Sequence, residues 1–483
     1  MAVLSTFTKP LIAITAALAI IGCQASQQAA PRLTIDTDLQ QCINLAQEFR
    51  NDVVTNEAGN AATSLLPALP FLSTNRFHWS LAEEAETQAQ IDEWVQLAAS
   101  LSEASRRKEN QSFNAPWPDT KLAQLSSCSQ SFASSERYVN ARKEIVTTAE
   151  GPKDHYNTIL QWLGLYPLLR PIFKARIDKL HREEKRWFLE EENFSSPRVY
   201  GLNEQSTEAP YGMAEWFRQG YRSSSLGLPL MNDSQLAMLF ELHAPQFEIN
   251  TLGERDNLGA PVLSGSMASI DTSAAIAYAL PSYTRFNGTK LLQLNYVVWF
   301  PEREAVSPVD LFSGNIDSII WRVTLDQSGQ VLLYDSVHSC GCYHKYFLAN
   351  DRLSILQAPL SDEPANIMTL SGLNTDIALR LVVSSNEHFI VGIKPLANNI
   401  ESTYTLADYS ALYALPNGQS QDSLFSPTGI IKGSERLERF TLWPTGIESV
   451  GAMRQWGTHA TGFVDRQHFD DPALFDSYLR FNE

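Results

Sequence analysis

The sequence predicts an α+β protein, with a helical region at residues 36–225 followed by a mainly antiparallel, β-rich region at residues 226–475. In the first region apolar residues recur at helical spacing, and in the second they alternate with polar residues along segments joined by short turns. Residues 476–483 are expected to form a short tail. A chain of this length can bury a large core, so we expect the β-rich region to be a sandwich or a helix-backed sheet.

The chain opens with a short apolar segment that ends at a cysteine. Lys9 precedes the apolar run Leu11–Ile21, which is too short to span a bilayer, and Cys23 follows it closely. This pattern is similar to the signal of bacterial lipoproteins, which implies removal of residues 1–22 and acylation of the Cys23 thiol. An ordinary signal peptide cut elsewhere is the alternative. Because Gln24 stands where an aspartate would imply retention in the inner membrane, the resemblance implies an outer-membrane anchor and a protein facing the periplasm.

Composition restricts the partners of the chain. Residues 23–35 are small and polar and include a proline, as expected of a tether between a lipid and a folded region. No later apolar run reaches the about 20 residues of a spanning helix, so the lipid is the only membrane anchor that we expect. The formal net charge of −17 argues against a nucleic-acid partner, because phosphate binding requires a basic surface.

The cysteines fall into two pairs once Cys23 carries lipid, and the export signal places them in an oxidising compartment. Cys42 lies on the apolar stripe of the first predicted helix, and Cys128 lies among apolar residues at nearly helical spacing. The sequence therefore favours a Cys42–Cys128 disulfide between two N-terminal helices, worth about 4 kcal/mol for so long a loop. We expect the sulfurs of Cys340 and Cys342 to be bonded to each other or to a metal.

The helical region begins at a capping residue, Asp36 or Thr37, and is punctuated by prolines such as Pro171, which we expect to lie outside helices. Three predicted helices share an amphipathic spacing: 91–101, 155–163 and 172–188. The segment Leu168–Phe188 is basic, with seven Lys or Arg against three acidic residues. A solvated helix face with i,i+4 ion pairs is the favoured interpretation, and contact with an anionic membrane is the alternative.

Three consecutive hairpins are predicted in the β-rich region. Asn287-Gly288 is the strongest turn signal, because both positions require positive φ, and further turns are expected at Asp326–Gly329 and at Ser385-Asn386. In the segment LLQLNYVVWF, residues 291–300, apolar side chains point to both faces of the predicted strand. We therefore expect this strand to be covered on both sides.

One segment concentrates reactive side chains: His338, Cys340, Cys342 and His344. They share a face if the segment is a strand, and together they form a Cys₂His₂ set of the kind that binds zinc. In an extended strand the two histidines lie about 20 Å apart, so one metal could hold all four only if the chain folds back at Gly341. A strained Cys340–Cys342 disulfide is the second interpretation, and a cysteine nucleophile with a histidine base is the third.

A second polar cluster lies near the C-terminus and contains Arg454, His459, Arg466, His468 and Asp470. Histidine beside carboxylate can ligate a metal or transfer protons. The favoured interpretation is a terminal segment pinned by ion pairs and hydrogen bonds, because structural networks contain the same mixture of residues.

Familiar catalytic motifs do not occur in the sequence, which contains no G-x-S-x-G, H-E-x-x-H, Walker A loop or Rossmann G-x-G-x-x-G. The segments LLQLNYVVWFP, HSCGCYH, GSERLER and MRQWGTHATGFVDRQHFDDP resemble an uncharacterised family of proteobacterial exported proteins, often lipoproteins, over Pro245–Pro472. That resemblance implies no activity. We predict a lipid-anchored, non-enzymatic protein that binds or scaffolds a protein or envelope polymer. The alternative is a metal- or thiol-dependent enzyme centred on residues 338–344.

Overall fold

The computed structural model describes residues 35–190, 194–349 and 351–482. The fold class is α+β, as predicted, with a helical N-terminal region and a large curled sheet. The predicted signal peptide, the lipidation site Cys23 and all of the tether except its last residue lie outside the described residues.

The helices of the described residues are mostly amphipathic and in chain order are α1 (Thr37–Thr55), α2 (Arg76–Ser80), α3 (Gln88–Gln111), α4 (Asp119–Ser134), α5 (Val139–Thr148), α6 (Thr158–Leu163), α7 (Tyr166–Glu190), α8 (Met213–Ser223), α9 (Asp233–His243) and α10 (Arg439–Leu442). Asp36 caps α1, because its carboxylate accepts the N–H of Leu39 at 2.8 Å. The sulfurs of Cys42 on α1 and Cys128 on α4 are bonded, which joins these two helices as the sequence favours.

The prediction that Pro171 lies outside a helix is wrong, because this residue lies inside α7. It occupies the second turn of the helix, where the missing N–H removes one backbone hydrogen bond and the flanking turns still form. The helix therefore extends beyond the predicted range 172–188 at both ends.

The strands are listed in chain order: β1 (Ser64–Leu66), β2 (Leu69–Thr74), β3 (Pro197–Leu202), β4 (Gln246–Asn250), β5 (Ala260–Ser264), β6 (Met267–Asp271), β7 (Ile276–Phe286), β8 (Thr289–Arg303), β9 (Gly314–Leu325), β10 (Val331–His338), β11 (Lys345–Leu348), β12 (Leu353–Ile355), β13 (Asn366–Thr369), β14 (Arg380–Val383), β15 (Ile390–Lys394), β16 (Ser402–Asp408), β17 (Leu415–Asn417), β18 (Ser420–Asp422) and β19 (Leu479–Phe481). Eleven of them form one sheet in the order β13-β11-β10-β9-β8-β7-β16-β3-β4-β14-β15. The three predicted hairpins are confirmed as β7–β8, β9–β10 and β14–β15.

Strands occur in two parts of the chain where the sequence predicts none: the helical region, which contains β1, β2 and β3, and the predicted tail, which contains β19. Strand β3 lies within the region predicted to be helical, yet it pairs with β4 and β16 in the middle of the sheet. In the predicted tail, β19 pairs with β12. Both segments are short, and their pairing partners lie far away in the sequence, so local periodicity carries little signal for either.

The sheet is covered on both faces, as expected from residues 291–300. Along β8, Leu292, Tyr296 and Phe300 join a core that includes residues of α8 and α9. Val297 and Trp299 face the opposite side and join a second core formed with the cysteine turn and the C-terminal segments. Side chains therefore pack on both sides of the strand.

The sheet curls until its two edge strands, β13 and β15, both contact α7. The ammonium group of Lys345 on β11 lies 2.9 Å from the carboxylate of Glu184 on α7 and 3.4 Å from the carbonyl oxygen of Ile390 on β15. Glu184 also accepts a hydrogen bond of 2.6 Å from the side chain of Asn366 on β13. Helix α7 thus closes the seam of the sheet, and the candidate site lies beside it.

Candidate ligand-binding site

The hairpin β10–β11 folds the chain back at Gly341, the condition that a shared metal would require. The N–H of Gly341 donates to the carbonyl of His338 at 2.7 Å, and the N–H of His338 donates to the carbonyl of Cys342 at 3.1 Å. Gly341 has φ +88°, and a Cβ there would lie 2.4 Å from the carbonyl oxygen of Ala460. Glycine is therefore required both for the turn and for the close approach of the C-terminal segment.

The two histidines of this segment face different carboxylates. Nδ1 of His338 lies 3.4 Å from Asp317, whereas Nε2 of His344 lies 2.9 Å from Asp335. Within the described ranges, no group of three or more His, Cys, Asp and Glu side chains could hold a metal ion. Zinc binding by His338, Cys340, Cys342 and His344 thus stays a sequence prediction, and the geometry supplies no ligand group for it.

The structure contains no bond between the sulfurs of Cys340 and Cys342, and both side chains are buried. The disulfide expected from the sequence is therefore absent here, whereas bonding of these sulfurs to a metal stays a sequence prediction. The turn directs the N–H of Cys342 to the sulfur of Cys340 at 3.3 Å. A hydrogen bond to Cys340 and burial raise the pKa of the Cys342 thiol well above its ordinary value. A nucleophilic cysteine requires the opposite shift, because the thiolate is the reactive form.

A buried charge network centred on Asp317 lies behind the turn. Its carboxylate accepts hydrogen bonds from Nδ1 of His388 at 2.9 Å and from the guanidinium of Arg436 at 3.1 Å. Burial opposes ionisation, but Arg436 and the neighbouring histidines lower the pKa of Asp317 well below its ordinary range. Burial would likewise lower the pKa of His388, but Asp256 and Asp317 raise it. The imidazole of His388 stacks on Phe300 with ring centroids 3.8 Å apart. This packing fixes the position of the network behind the turn.

Part of the second polar cluster packs against the cysteine turn. The backbone N–H of Arg454 donates to the carbonyl of Ser339 at 2.8 Å, and its guanidinium donates to the carbonyl of Ser449 at 3.0 Å. His459 is fully buried, and burial lowers its pKa to about 3. The motifs HSCGCYH and MRQWGTH, which carry much of the resemblance, therefore meet in space.

The remaining residues of that cluster connect the C-terminal segment to the helical region. Arg466 forms an ion pair of 2.5 Å with Asp154, and Nε2 of His468 lies 3.7 Å from the same carboxylate. Asp470 lies 3.3 Å from the guanidinium of Arg76. These contacts match the interpretation of a terminal segment pinned by ion pairs.

A cavity of about 690 Å³ opens between α7, the cysteine turn and the segments 384–391 and 461–467. Its walls are largely aromatic and aliphatic and include Phe173, Ile177, Leu180, Trp187, Phe312, Tyr343, Phe389 and Phe463. The polar lining groups include Arg176, His181, Arg303, Cys342, His344, Glu363 and Glu438. A largely apolar cavity of this size with a few polar groups is typical of a site for a small ligand.

Two buried carboxyl groups of the cavity wall differ in their surroundings. Glu363 accepts hydrogen bonds from the backbone N–H groups of Val464 and Asp465, at 2.5 and 3.0 Å. No hydrogen bond or ion pair involves the carboxylate of Glu438 within the described residues. Burial raises the pKa of each carboxyl group to about 7, although Arg436 and Arg303 oppose the shift at Glu438. Glu438 is thus a hydrogen-bonding group available to a ligand.

Sequence reasoning identified Cys342 and His344 in this wall but missed Glu363, Glu438 and Arg303. The carboxyl groups and the guanidinium come from separate loops and a strand end, so no spacing pattern connects them. The motif GSERLER contains Glu438, but nothing in its spacing marks this residue as a buried carboxyl group. The signal that identifies these groups is the burial of a polar residue among apolar neighbours, and this burial is visible only once the fold is known.

Together the fold and the site define an α+β protein whose curled sheet and seam helix enclose an aromatic, ligand-sized cavity. The chain matches no protein-family profile, no curated protein and no solved structure. Among the described residues, no helix is both long enough and apolar enough to cross a membrane.

Proposed function

We propose that this protein is a non-enzymatic envelope binding protein whose ligand is a small amphiphile held in the cavity beside α7. The cavity is the observation that carries the proposal, because its volume of about 690 Å³ and its aromatic walls suit a ligand with an apolar body. The lipoprotein-like signal ending at Cys23 supports a lipid anchor in the outer membrane and a periplasmic location.

The polar groups of the wall favour a ligand that carries a hydrogen-bond donor. The Glu438 carboxylate takes part in no hydrogen bond or ion pair among the described residues, so a ligand ammonium, amide or hydroxyl group can donate to it. On the same wall, Arg303 donates to the Tyr343 hydroxyl at 3.3 Å. The apolar body would lie against Phe389, which packs edge-to-face on Tyr343 with ring centroids 4.6 Å apart.

The cavity can be tested with 1-N-phenylnaphthylamine, an aromatic amine whose fluorescence rises in apolar surroundings. We expect saturable binding of one equivalent to the purified chain. Ala365→Phe places a ring in the cavity wall and should weaken binding at least about tenfold. Native mass spectrometry of the same preparation tests for a co-purified ligand that the probe displaces.

Ala123→Phe is the matched control, because Ala123 is an exposed residue of α4 that lines a different pocket. This variant should bind the probe as the parent chain does. Equal affinity in the parent chain and in Ala365→Phe would contradict a ligand site in the cavity.

The alternative, a metal- or thiol-dependent enzyme, has one observation in its favour, since Cys342 and His344 both line the cavity. Two observations weigh against it. The pKa of the Cys342 thiol is raised, and His344 is hydrogen-bonded to Asp335. A Cys340→Ser, Cys342→Ser variant that binds the probe normally and keeps its cellular phenotype would exclude a catalytic role for the turn.

A further inference from the structure

The hairpin of α6 and α7 exposes apolar side chains that have no covering in the described structure. On α6, Ile159, Trp162 and Leu163 share one helix face, and each is about 70% exposed. Leu165 follows in the connection, and Leu168 and Ile172 continue at i,i+4 spacing on α7. A contiguous exposed apolar patch on a folded protein marks an interaction surface.

Beyond this apolar tip, the outer face of α7 is basic. Positions 175, 179, 182 and 186 continue the helical stripe that starts at 168 and 172, and they hold Ala, Lys, Arg and Arg. All four are exposed. The opposite face of α7, which includes Phe173, Ile177 and Leu180, lines the cavity. One helix thus has a cavity-facing side and an unpartnered outer side.

The net charge of α7 is opposite in sign to that of the whole chain, and this difference indicates what the outer side of the helix contacts. The whole chain has a formal net charge of −17, whereas α7 has seven Lys or Arg against four acidic residues. Among the described residues, the ion pairs of Lys179 and Arg186 are with acidic residues of their own helix, at 3.8 Å, and the two basic side chains are 72% and 62% exposed. Exposed pairs of this kind contribute little free energy, so these basic side chains can exchange their partners for the phosphate groups of a membrane.

We propose that the α6–α7 hairpin docks on an anionic phospholipid bilayer, with Trp162 and its apolar neighbours in the interface and the basic stripe against the headgroups. An apolar edge rich in Trp and Leu beside Lys and Arg is the composition of interfacial helices. The favoured sequence interpretation, a merely solvated face, does not account for the exposed apolar tip. Docking would present the cavity wall close to the membrane, and it does not depend on the cavity holding a ligand.

Vesicle co-sedimentation tests this proposal on the complete chain carrying Cys23→Ser, so that no acyl group adds affinity. The vesicles contain phosphatidylcholine with or without phosphatidylglycerol. We expect about tenfold stronger binding to the anionic vesicles at low salt, and loss of that difference at high salt. Lys179→Glu, Arg182→Glu, Arg186→Glu should remove the difference, and Trp162→Ser, Leu163→Ser, Leu168→Ser should weaken binding to the anionic vesicles.

Matched controls change the same residue types elsewhere on the surface. Arg107→Glu, Lys143→Glu, Arg218→Glu reverses three exposed charges on other helices, two of which also have intrahelical partners. Val306→Ser, Val309→Ser, Leu360→Ser removes three exposed apolar side chains. Both controls should bind as the parent does, and circular dichroism should be the same for every variant.

Three results would overturn the proposal. The first is equal binding to both kinds of vesicle at low salt. The second is an equal loss of binding in the control variants. The third is a dimer, detected by sedimentation velocity without vesicles, that the Trp162 variant dissociates, because the apolar tip would then belong to a second copy of the chain.

Discussion

Gly341 lies so close to Ala460 that a Cβ built on the glycine would be 2.4 Å from the carbonyl oxygen of the alanine. The contact joins the cysteine turn to the C-terminal segment, which the sequence presents as two separate polar clusters. The two clusters therefore pack against each other behind the cavity. They can approach so closely only because Gly341 has no side chain.

Gly341→Ala is expected to lower the free energy of unfolding by about 2 to 4 kcal/mol, measured by urea denaturation. The substitution adds strain at φ +88° and also forces the backbone of Ala460 to move. Gly418→Ala separates these effects, because Gly418 has φ +65° and no atom within 4 Å of its Cβ position. The control should lose only about 1 kcal/mol. Equal losses in the two variants would contradict the close contact.

The Glu184–Lys345 pair closes the seam of the sheet, and its two side chains are only 1% and 3% exposed. Lys345→Met leaves a buried carboxylate without its cation and should cost about 3 to 5 kcal/mol of unfolding free energy. Glu184→Gln combined with Lys345→Met removes both charges and should recover most of that loss, since the Gln carbonyl can still accept from Asn366. A double-mutant cycle by chemical denaturation measures the coupling. Additive effects of the two substitutions would show that the charges do not interact.

Local sequence patterns were sufficient for the three predicted hairpins and for the amphipathic helices, although they failed at Pro171. The Asn287-Gly288 turn and the two apolar faces of residues 291–300 predicted β7, β8 and the covered sheet, because these features depend on neighbouring residues only. The spacing around Cys42 and Cys128 was also sufficient to favour their disulfide. In each case the signal is a residue pattern within a single helix, strand or turn.

Local patterns could not predict the seam, the cavity or the parallel strand pairs of the sheet, which are β11–β13, β7–β16, β3–β16 and β4–β14. β3 pairs with β16 across about 200 residues of sequence, and Glu184 meets Lys345 only because the sheet curls. Glu438 acquires its raised pKa from burial by loops that are distant along the chain. The alternation of His338, Cys340, Cys342 and His344 predicted one shared face, but the turn at Gly341 separates them.

Thiol counting tests the state of the cysteine turn. In the complete chain with Cys23→Ser, denatured without reductant, we expect two titratable thiols, those of Cys340 and Cys342, because Cys42 and Cys128 are bonded. Reduction should raise the count to four. In the native protein the two thiols should react slowly with a maleimide, since they are only 3% and 7% exposed. A count of zero before reduction would instead support the Cys340–Cys342 bond expected from the sequence.

The Glu438 carboxyl group should make stability depend on pH in a defined direction. Burial raises its pKa in the folded protein from 4.5 to about 7. Between those two pH values the folded protein binds more protons than the unfolded chain, so the contribution of Glu438 to the free energy of unfolding falls as pH rises. Gln cannot titrate, and Glu438→Gln should therefore gain stability relative to the parent between pH of about 5 and 8.

The measurement is urea denaturation of both proteins across that pH range, and the quantity compared is the difference in unfolding free energy at each pH. Glu363 also has a pKa raised to about 7, but it is present in both proteins and its contribution cancels in the difference. Glu57→Gln is the control, because it makes the same substitution at a side chain that is 72% exposed and not buried. A constant difference for Glu438→Gln would contradict the raised pKa and would mean that water or a cation keeps this carboxylate ionised in the cavity wall.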